Sequence, residues 1–284
     1  MITVRKLVSE FLGYNRVLYK AKTVSTYNDR LKPLVALYGT LPVCKLNHKA
    51  LTRWIEYASH SPKKDAPMSS CTVRMTISIT RRLIRFAFER RYIRQPVLFE
   101  MPLPADVKRE RIPTRREQRA ILAIAPRPFR RIYQALRLSG ARPSELCNAN
   151  IEDYHVKQRL IVLGDHKEQF VTGKQRKITV GRRFRHLLRC AIRGRTTGPI
   201  FLTAKGNRWN PQTLSHKFLL LRRKAEITDE LCLYAATRHE HGSRMTTKHG
   251  IFAASKSLGH ASVESTMRYA HLSNKQLCNY QDDL

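Results

Sequence analysis

Apolar residues recur at helical spacing through the first hundred positions. Leu7, Val8, Phe11 and Leu12 form one stripe. Tyr27, Leu31, Leu34, Val35 and Tyr38 form a second that stops at Gly39, and Leu51, Trp54, Ile55 and Ala58 form a third. After a turn-rich stretch from Ser59 to Pro67, Ser69 or Ser70 caps the longest predicted helix. It runs to about Tyr92 with Val73, Ile77, Ile84, Ala87 and Phe88 inward. Arg74, Arg81 and Arg85 share another face of it, a basic surface suited to tracking phosphates.

The stretch from Pro96 to Arg116 is proline-interrupted and basic, so helices do not run through it easily. It reads as a linker lying against a polyanion, with Arg115 and Arg116 at its end. Helical periodicity then resumes. Thr114 and Glu117 make a capping-box pattern, and a helix from about Phe129 to Ser139 stops at Gly140. Pro143 suits the first position of a new helix, with Glu145 in its first turn, which puts Arg142 at a helix mouth. The period changes at Arg159 to Leu163 and Lys177 to Val180, two β-branched runs that read as an antiparallel hairpin with a long basic tip. Lys167 and Lys174 lie on that tip. Phe184 to Ile192 and Pro211 to Arg223 return to helix, with Pro199 to Leu202 a short apolar segment between them. The expected architecture is mainly α with a small antiparallel β-sheet. It is divided into a helical domain over 1–100, a linker over 101–116 and a second domain over 117–284.

Composition changes this picture chiefly through charge. The 284 residues hold 54 Lys and Arg against 21 Asp and Glu, a net charge of +33. Residues 1–105 and 106–284 are each strongly basic, so the charge is not a tail appended to a neutral domain. Such a balance predicts association with nucleic acid through both domains, weakening steeply with salt. No apolar run approaches the roughly 18 residues of a spanning helix, and no secretory leader is visible, so no membrane partner is expected. The six cysteines are scattered without a C-x-x-C pair, which fits a reducing cytoplasm (the nucleoid, in a bacterium). No ligand cluster suggests a metal, and no cofactor is expected.

The candidate chemistry gathers between Ala236 and Leu272. Thr237 and Glu240 read as another capping box, which would set Arg238 at a helix mouth beside free N–H groups that favour an anion. Gly250 reads as a stop. A second helix, roughly Ala253 to Leu258, ends at Gly259 and presents His260. Ser262 then caps a further helix that carries Tyr269. An arginine, a histidine and a tyrosine delivered by element ends can converge on a phosphate.

Taken in order, GARPSEL (140–146), the basic hairpin, the Thr237-Arg238-His239 stretch and LGHASVESTMRYAHLS (258–273) resemble the tyrosine recombinase, or phage-type integrase, family. The last is the most specific, with L-G-H followed by T-x-x-Y whose tyrosine lies nine residues past the histidine. The resemblance covers most of the chain and implies a core-binding domain, a linker and a catalytic domain. It implies Tyr269 as nucleophile, Arg142 and Arg238 as phosphate-binding arginines, His260 at the second histidine position, and Lys167 as the hairpin lysine, with Lys174 as the alternative. It further implies double-stranded DNA as substrate, a homo-tetramer on synapsed sites, and a 3′-phosphotyrosyl intermediate formed without metal or ATP. Breaking a phosphodiester without a metal requires cationic donors at the non-bridging oxygens, and arginine's planar, permanently charged fork suits them.

One position departs from the family pattern. Where a histidine usually stands three residues before the second arginine, this chain has Ala235, with Tyr234 one residue further back. Tyr234 could replace the missing hydrogen bond if the local register shifts. His239 is expected to be a packing residue, and the interval of 22 residues from Arg238 to His260 is about one short of the usual spacing. Two other readings compete: a DNA-binding protein on the same scaffold whose catalysis has decayed, motivated by Ala235, and a type IB topoisomerase.

Overall fold

The structure, a computed structural model, describes residues 1–61, 66–95, 102–105, 111–164, 175–227, 231–260, 262–267 and 269. The chain divides into two compact units, Met1–Lys108 and Arg109–Leu284.

In the first unit the three early stripes become α1 (Val4–Leu18), α2 (Ala21–Tyr38) and α3 (His48–Ala58). Local chemistry starts two of them: the Thr3 hydroxyl accepts the N–H of Lys6, and the Asn47 side chain accepts that of Ala50. The turn-rich stretch carries a two-residue antiparallel pair, β1 (His60–Ser61) with β2 (Ala66–Pro67). Ser69 then caps α4 (Ser70–Glu89). The four helices enclose Leu7, Phe11, Leu31, Leu34, Leu51, Trp54, Leu83 and Ile84. The inward face of α4 is rotated from the expected one. Phe86 is buried among Phe11 and Tyr14, whereas Phe88 is 44% exposed. Two aromatics stand two positions apart on a helix and cannot share a face, and the packing of α1 selects Phe86.

In the second unit the capping box forms as expected: Thr114 accepts the N–H of Glu117, whose carboxylate accepts that of Thr114, and α5 (Arg115–Ile124) follows. Next comes α6 (Arg127–Ser139), closed by Gly140 in the left-handed region at φ 63°. A side chain there would be strained in backbone, and its Cβ would lie 2.4 Å from the His241 ring. The short α7 (Pro143–Asn148) leads into a three-stranded antiparallel sheet in the order β3 (Tyr154–His155), β4 (Leu160–Leu163), β5 (Arg176–Thr179). Strand β3 lacks a periodic run and was not expected. In β4 and β5, Ile161 pairs with Ile178 and Leu163 with Arg176, so the inward face is apolar except at Arg176. Helices α8 (Arg182–Ile192) and α9 (Pro211–Lys224) close the core around a stack of Phe129, Tyr133 and Phe218.

The closing stretch departs from its sequence reading at Thr237 and at Tyr269. Thr237 does not cap a helix. It is fully buried inside one, and its hydroxyl donates back to the Leu233 carbonyl. Leu233, Ala235 and Ala236 are buried, so apolar packing extends the helix backward through the supposed boundary, and Glu240 pairs instead with Arg137 and Arg244. Ala235–His239 forms a π turn that runs directly into α10 (Glu240–Leu258). Gly250 kinks α10 at φ 79°, and Gly259 ends it at φ 64°. The Ser262 hydroxyl accepts the N–H of Glu264 at the start of α11 (Glu264–Met267), and Tyr269 lies just past that helix rather than on it.

Candidate active site

Arg238 is completely buried and sits within the π turn, not at a helix mouth. Its guanidinium joins two chain ends, donating from Nη1 to the Gly140 carbonyl at 2.7 Å and from Nη2 to the Leu258 carbonyl at 2.8 Å. Those carbonyls close α6 and α10, where the helix dipole is negative, so a cation is favoured there. Nε is buried without a hydrogen-bond partner among the described residues.

Arg142 precedes α7 and faces the same region. Its guanidinium donates to Glu145 Oε1 at 2.8 Å, while its backbone N–H donates to Glu145 Oε2 at 2.9 Å. Glu145 also lies 3.5 Å from Arg176 Nε. Burial alone would raise the Glu145 carboxyl, but Arg176, the Arg142 backbone N–H and the Arg142 guanidinium hold it below the ordinary carboxylate range. Arg176 feels the positive charges of Arg238 and Arg142, which places three arginines within electrostatic reach of one another. Burial lowers the proton affinity of Arg176 and Arg238, yet guanidinium has so far to fall that both stay charged. One carboxylate thus holds together a cluster of like charges that would otherwise repel.

Arg176 itself was not singled out from the sequence. It is 5% exposed and donates to the carbonyls of Lys177 and Ser257, so it ties β5 to the end of α10. Gly259 stands in the left-handed region at φ 64°, and a Cβ there would lie 2.2 Å from Arg176 Nη1, so both favour glycine before His260. The signal was available: period-two alternation back from Val180 and Ile178 sets position 176 inward, and an arginine at an inward position is a marked exception.

Tyr269 is 7% exposed, and its ring lies on Gly242 of α10, where a Cβ would come within 2.8 Å of it. Its hydroxyl meets His239 Nδ1 at 2.7 Å. His260 Nδ1 meets the Thr266 hydroxyl at 2.7 Å, and its ring runs near-parallel to that of Tyr269, with centroids 6.5 Å apart. His239, expected to be a packing residue, therefore lies at the tyrosine oxygen. Tyr234 packs edge-on against His239, with centroids 5.0 Å apart, and after burial it is the largest influence on the proton affinity of Arg238. The π turn accounts for this placement. Because a π turn holds about one residue more than an α turn, the position four before Arg238 comes round to where the third would stand in an α-helix.

The structure thus brings together Arg142, Arg238, His260, Tyr269 and Tyr234. Lys167 and Lys174 lie outside the described residues. The other basic candidates lie on α4 of the first unit and at the start of α5. Arg81 is half-buried and Arg85 exposed on α4, and Arg74 donates to the Pro104 carbonyl. Arg115 and Arg116 are exposed in the first turn of α5. Among the described residues, no group of three or more His, Cys, Asp or Glu is placed to hold a metal ion, and no helix is long and apolar enough to cross a membrane.

Comparison with known proteins bears on the same region. The profile of the Phage integrase family matches residues 114–276. No curated protein matches the chain. Among solved structures, a lambda integrase fragment in a dimer bound to a COC′ core site is similar with a TM-score of 0.79 and 16% identity, covering 95% of this chain and 96% of that one. The Tn1549 transposon integrase in complex with a circular intermediate DNA gives 0.78 and 17%, covering 100% of both chains. A lambda integrase tetramer bound to a Holliday junction gives 0.77 and 15%, covering 92% of this chain and 78% of that one. At such identities the likeness concerns the fold.

Proposed function

This chain belongs to the phage integrase family and is a DNA cleavage-and-joining enzyme of the site-specific recombinase class; from that premise we propose how its own residues cut and rejoin a strand. Tyr269 attacks the scissile phosphorus, a P–O bond forms to the tyrosine, and the P–O5′ bond breaks. The products are a 3′-phosphotyrosyl link and a free 5′-hydroxyl. Arg142 and Arg238 donate to the two non-bridging oxygens and stabilise the charge that gathers there. Tyr234, set beside Arg238, takes the place left by Ala235 and donates to the same phosphate. His260, held at Nδ1 by Thr266, keeps the tyrosine ring in line. The hairpin lysine, Lys167 with Lys174 as the alternative, protonates the departing 5′ oxygen. Because the phosphotyrosine keeps the energy of the broken diester, rejoining runs through the same groups in reverse.

The observation that carries this reading is the convergence of a buried tyrosine hydroxyl, two histidines and two arginines, one of them with an orphan donor. The first unit, with Arg74, Arg81 and Arg85 on α4, holds the duplex, and Arg115 and Arg116 meet the backbone where the second unit begins. Double-stranded DNA is the partner, and four copies act on two synapsed sites. The lambda and Tn1549 integrases seen on DNA, as dimer and tetramer in the lambda case, support this assignment.

A nicked suicide substrate carrying the matched site tests it. The protein should form a covalent adduct stable to denaturation, and Tyr269→Phe should form none while still binding DNA. A folded, DNA-bound protein that never forms an adduct would overturn the reading.

A further inference from the structure

We propose that His239 is the proton acceptor for the nucleophile: its Nδ1 takes the Tyr269 proton as the tyrosine oxygen attacks phosphorus, and returns it when the strand is rejoined. The inference rests on the strand-transfer reading above and assigns a role that reading leaves open.

A phenol ionises at roughly 10, so at neutral pH the attacking oxygen still carries its proton, and some group must receive it. Position 235, where the family pattern would offer a histidine, is alanine and can accept nothing. His260 lies over the ring face, with Nδ1 on Thr266. His239 Nδ1 is 2.7 Å from the hydroxyl itself, inside hydrogen-bond reach for general-base transfer. In the proposed role the tyrosine donates in this contact, with the neutral imidazole's proton on Nε2. The imidazole is held on both sides, with Tyr234 edge-on at 5.0 Å and Tyr269 tilted at 5.5 Å between centroids. The π turn is again the cause, because it sets consecutive residues to complementary work: Arg238 into the core, His239 toward the tyrosine.

The proton count closes. The Tyr269 proton moves to His239, P–O(Tyr269) forms, P–O5′ breaks, and the 5′ oxygen takes a proton from the hairpin lysine's ammonium. A phenol is a much weaker acid than an imidazolium, so transfer accompanies attack. Arg238, whose charge interacts with Tyr269, favours the developing negative oxygen. Arg137, from the neighbouring α6, is paired with Glu240. Among the described residues, the ionisable groups packed on His239 are Tyr234 and Tyr269, with His260 across the tyrosine ring.

The test compares wild type, His239→Asn, His239→Ala and Tyr269→Phe in single-turnover adduct formation on the suicide substrate, with DNA binding measured in parallel. Each is run on the ordinary substrate and on one with sulfur replacing the scissile 5′ oxygen, whose thiolate leaves without an acid. His239→Asn should bind DNA as wild type does and form adduct about 10²–10⁴-fold more slowly, with the same loss on both substrates. Its residual rate should keep rising with pH, whereas the wild-type rate levels off above an ionisation in the histidine range. Added imidazole should partly restore His239→Ala. Wild-type rates in the Asn variant, or a loss erased by the sulfur substrate, would overturn the proposal. Should that variant fail to bind DNA, a wild-type rate without an ionisation in the histidine range overturns it. No adduct from wild type instead removes the strand-transfer reading, and this inference with it.

Discussion

His241, next but two after Arg238 and only 5% exposed, shows what a single buried residue does for this site. A carbonyl can only accept, so the 3.0 Å contact to the Arg137 oxygen fixes the imidazole proton on Nδ1, and Nε2 accepts from the Ser257 hydroxyl at 2.9 Å. The ring thus joins the end of α6 to the end of α10, beside the two carbonyls that Arg238 grips. Burial pulls its proton affinity below the ordinary 6.5, against the opposing pull of the Arg137 carbonyl. With a depressed folded value, the unfolded chain binds the proton first as pH falls. Stability from this group is complete above about 6.5 and is lost below it, by at most about 1.4 kcal/mol per pH unit. The thermal midpoint of the second unit should therefore fall between pH 7 and 5.5, and His241→Asn should flatten that slope; an unchanged slope would show the charge of His241 to be irrelevant.

At the scale of elements, Gly242 sets two effects against each other. Alanine inside a helix is favoured over glycine by about 1 kcal/mol, yet a Cβ here would stand 2.8 Å from the Tyr269 ring. Gly242→Ala should leave the thermal midpoint unchanged or raised while displacing Tyr269, the proposed nucleophile. A misplacement of about 1 Å costs on the order of 10²-fold in rate, so adduct formation should drop by about that much with DNA affinity retained. Rate and affinity measured on one preparation decide it. The elements that periodicity and caps specify were legible in the sequence: α1 to α4, the Thr114 capping box, the Gly140 and Gly259 stops, the β4–β5 hairpin. So were Arg142, His260 and Tyr269, which the structure gathers into one cluster. The π turn was not legible, because it follows from burial of Leu233, Ala235 and Ala236 against the core, which no local propensity records. With it went the true settings of Arg238, Tyr234 and His239. Phe86 was missed for a related reason: choosing between two aromatics required knowing where α1 lies. Arg176 was readable in principle, through a strand alternation that had to be carried one step further.

On the scale of the whole molecule, positive charge is spread over both units, and the arginines of the second unit's cluster are bound inward by Glu145 and by helix-end carbonyls. On the proposed reading, the surface charge gathers DNA and the buried arginines meet one phosphate. The seat of Tyr269 has a further consequence. Its ring fits the notch at Gly242 and its hydroxyl touches His239, all within one chain. If Tyr269 is the nucleophile proposed above, this seat predicts attack in cis, each subunit cutting the strand that lies in its own site. Mixing Tyr269→Phe with Arg142→Ala protein on the same DNA should restore no adduct, since neither copy is whole; recovered adduct would mean the tyrosine is shared. On that reading each complete copy breaks one strand.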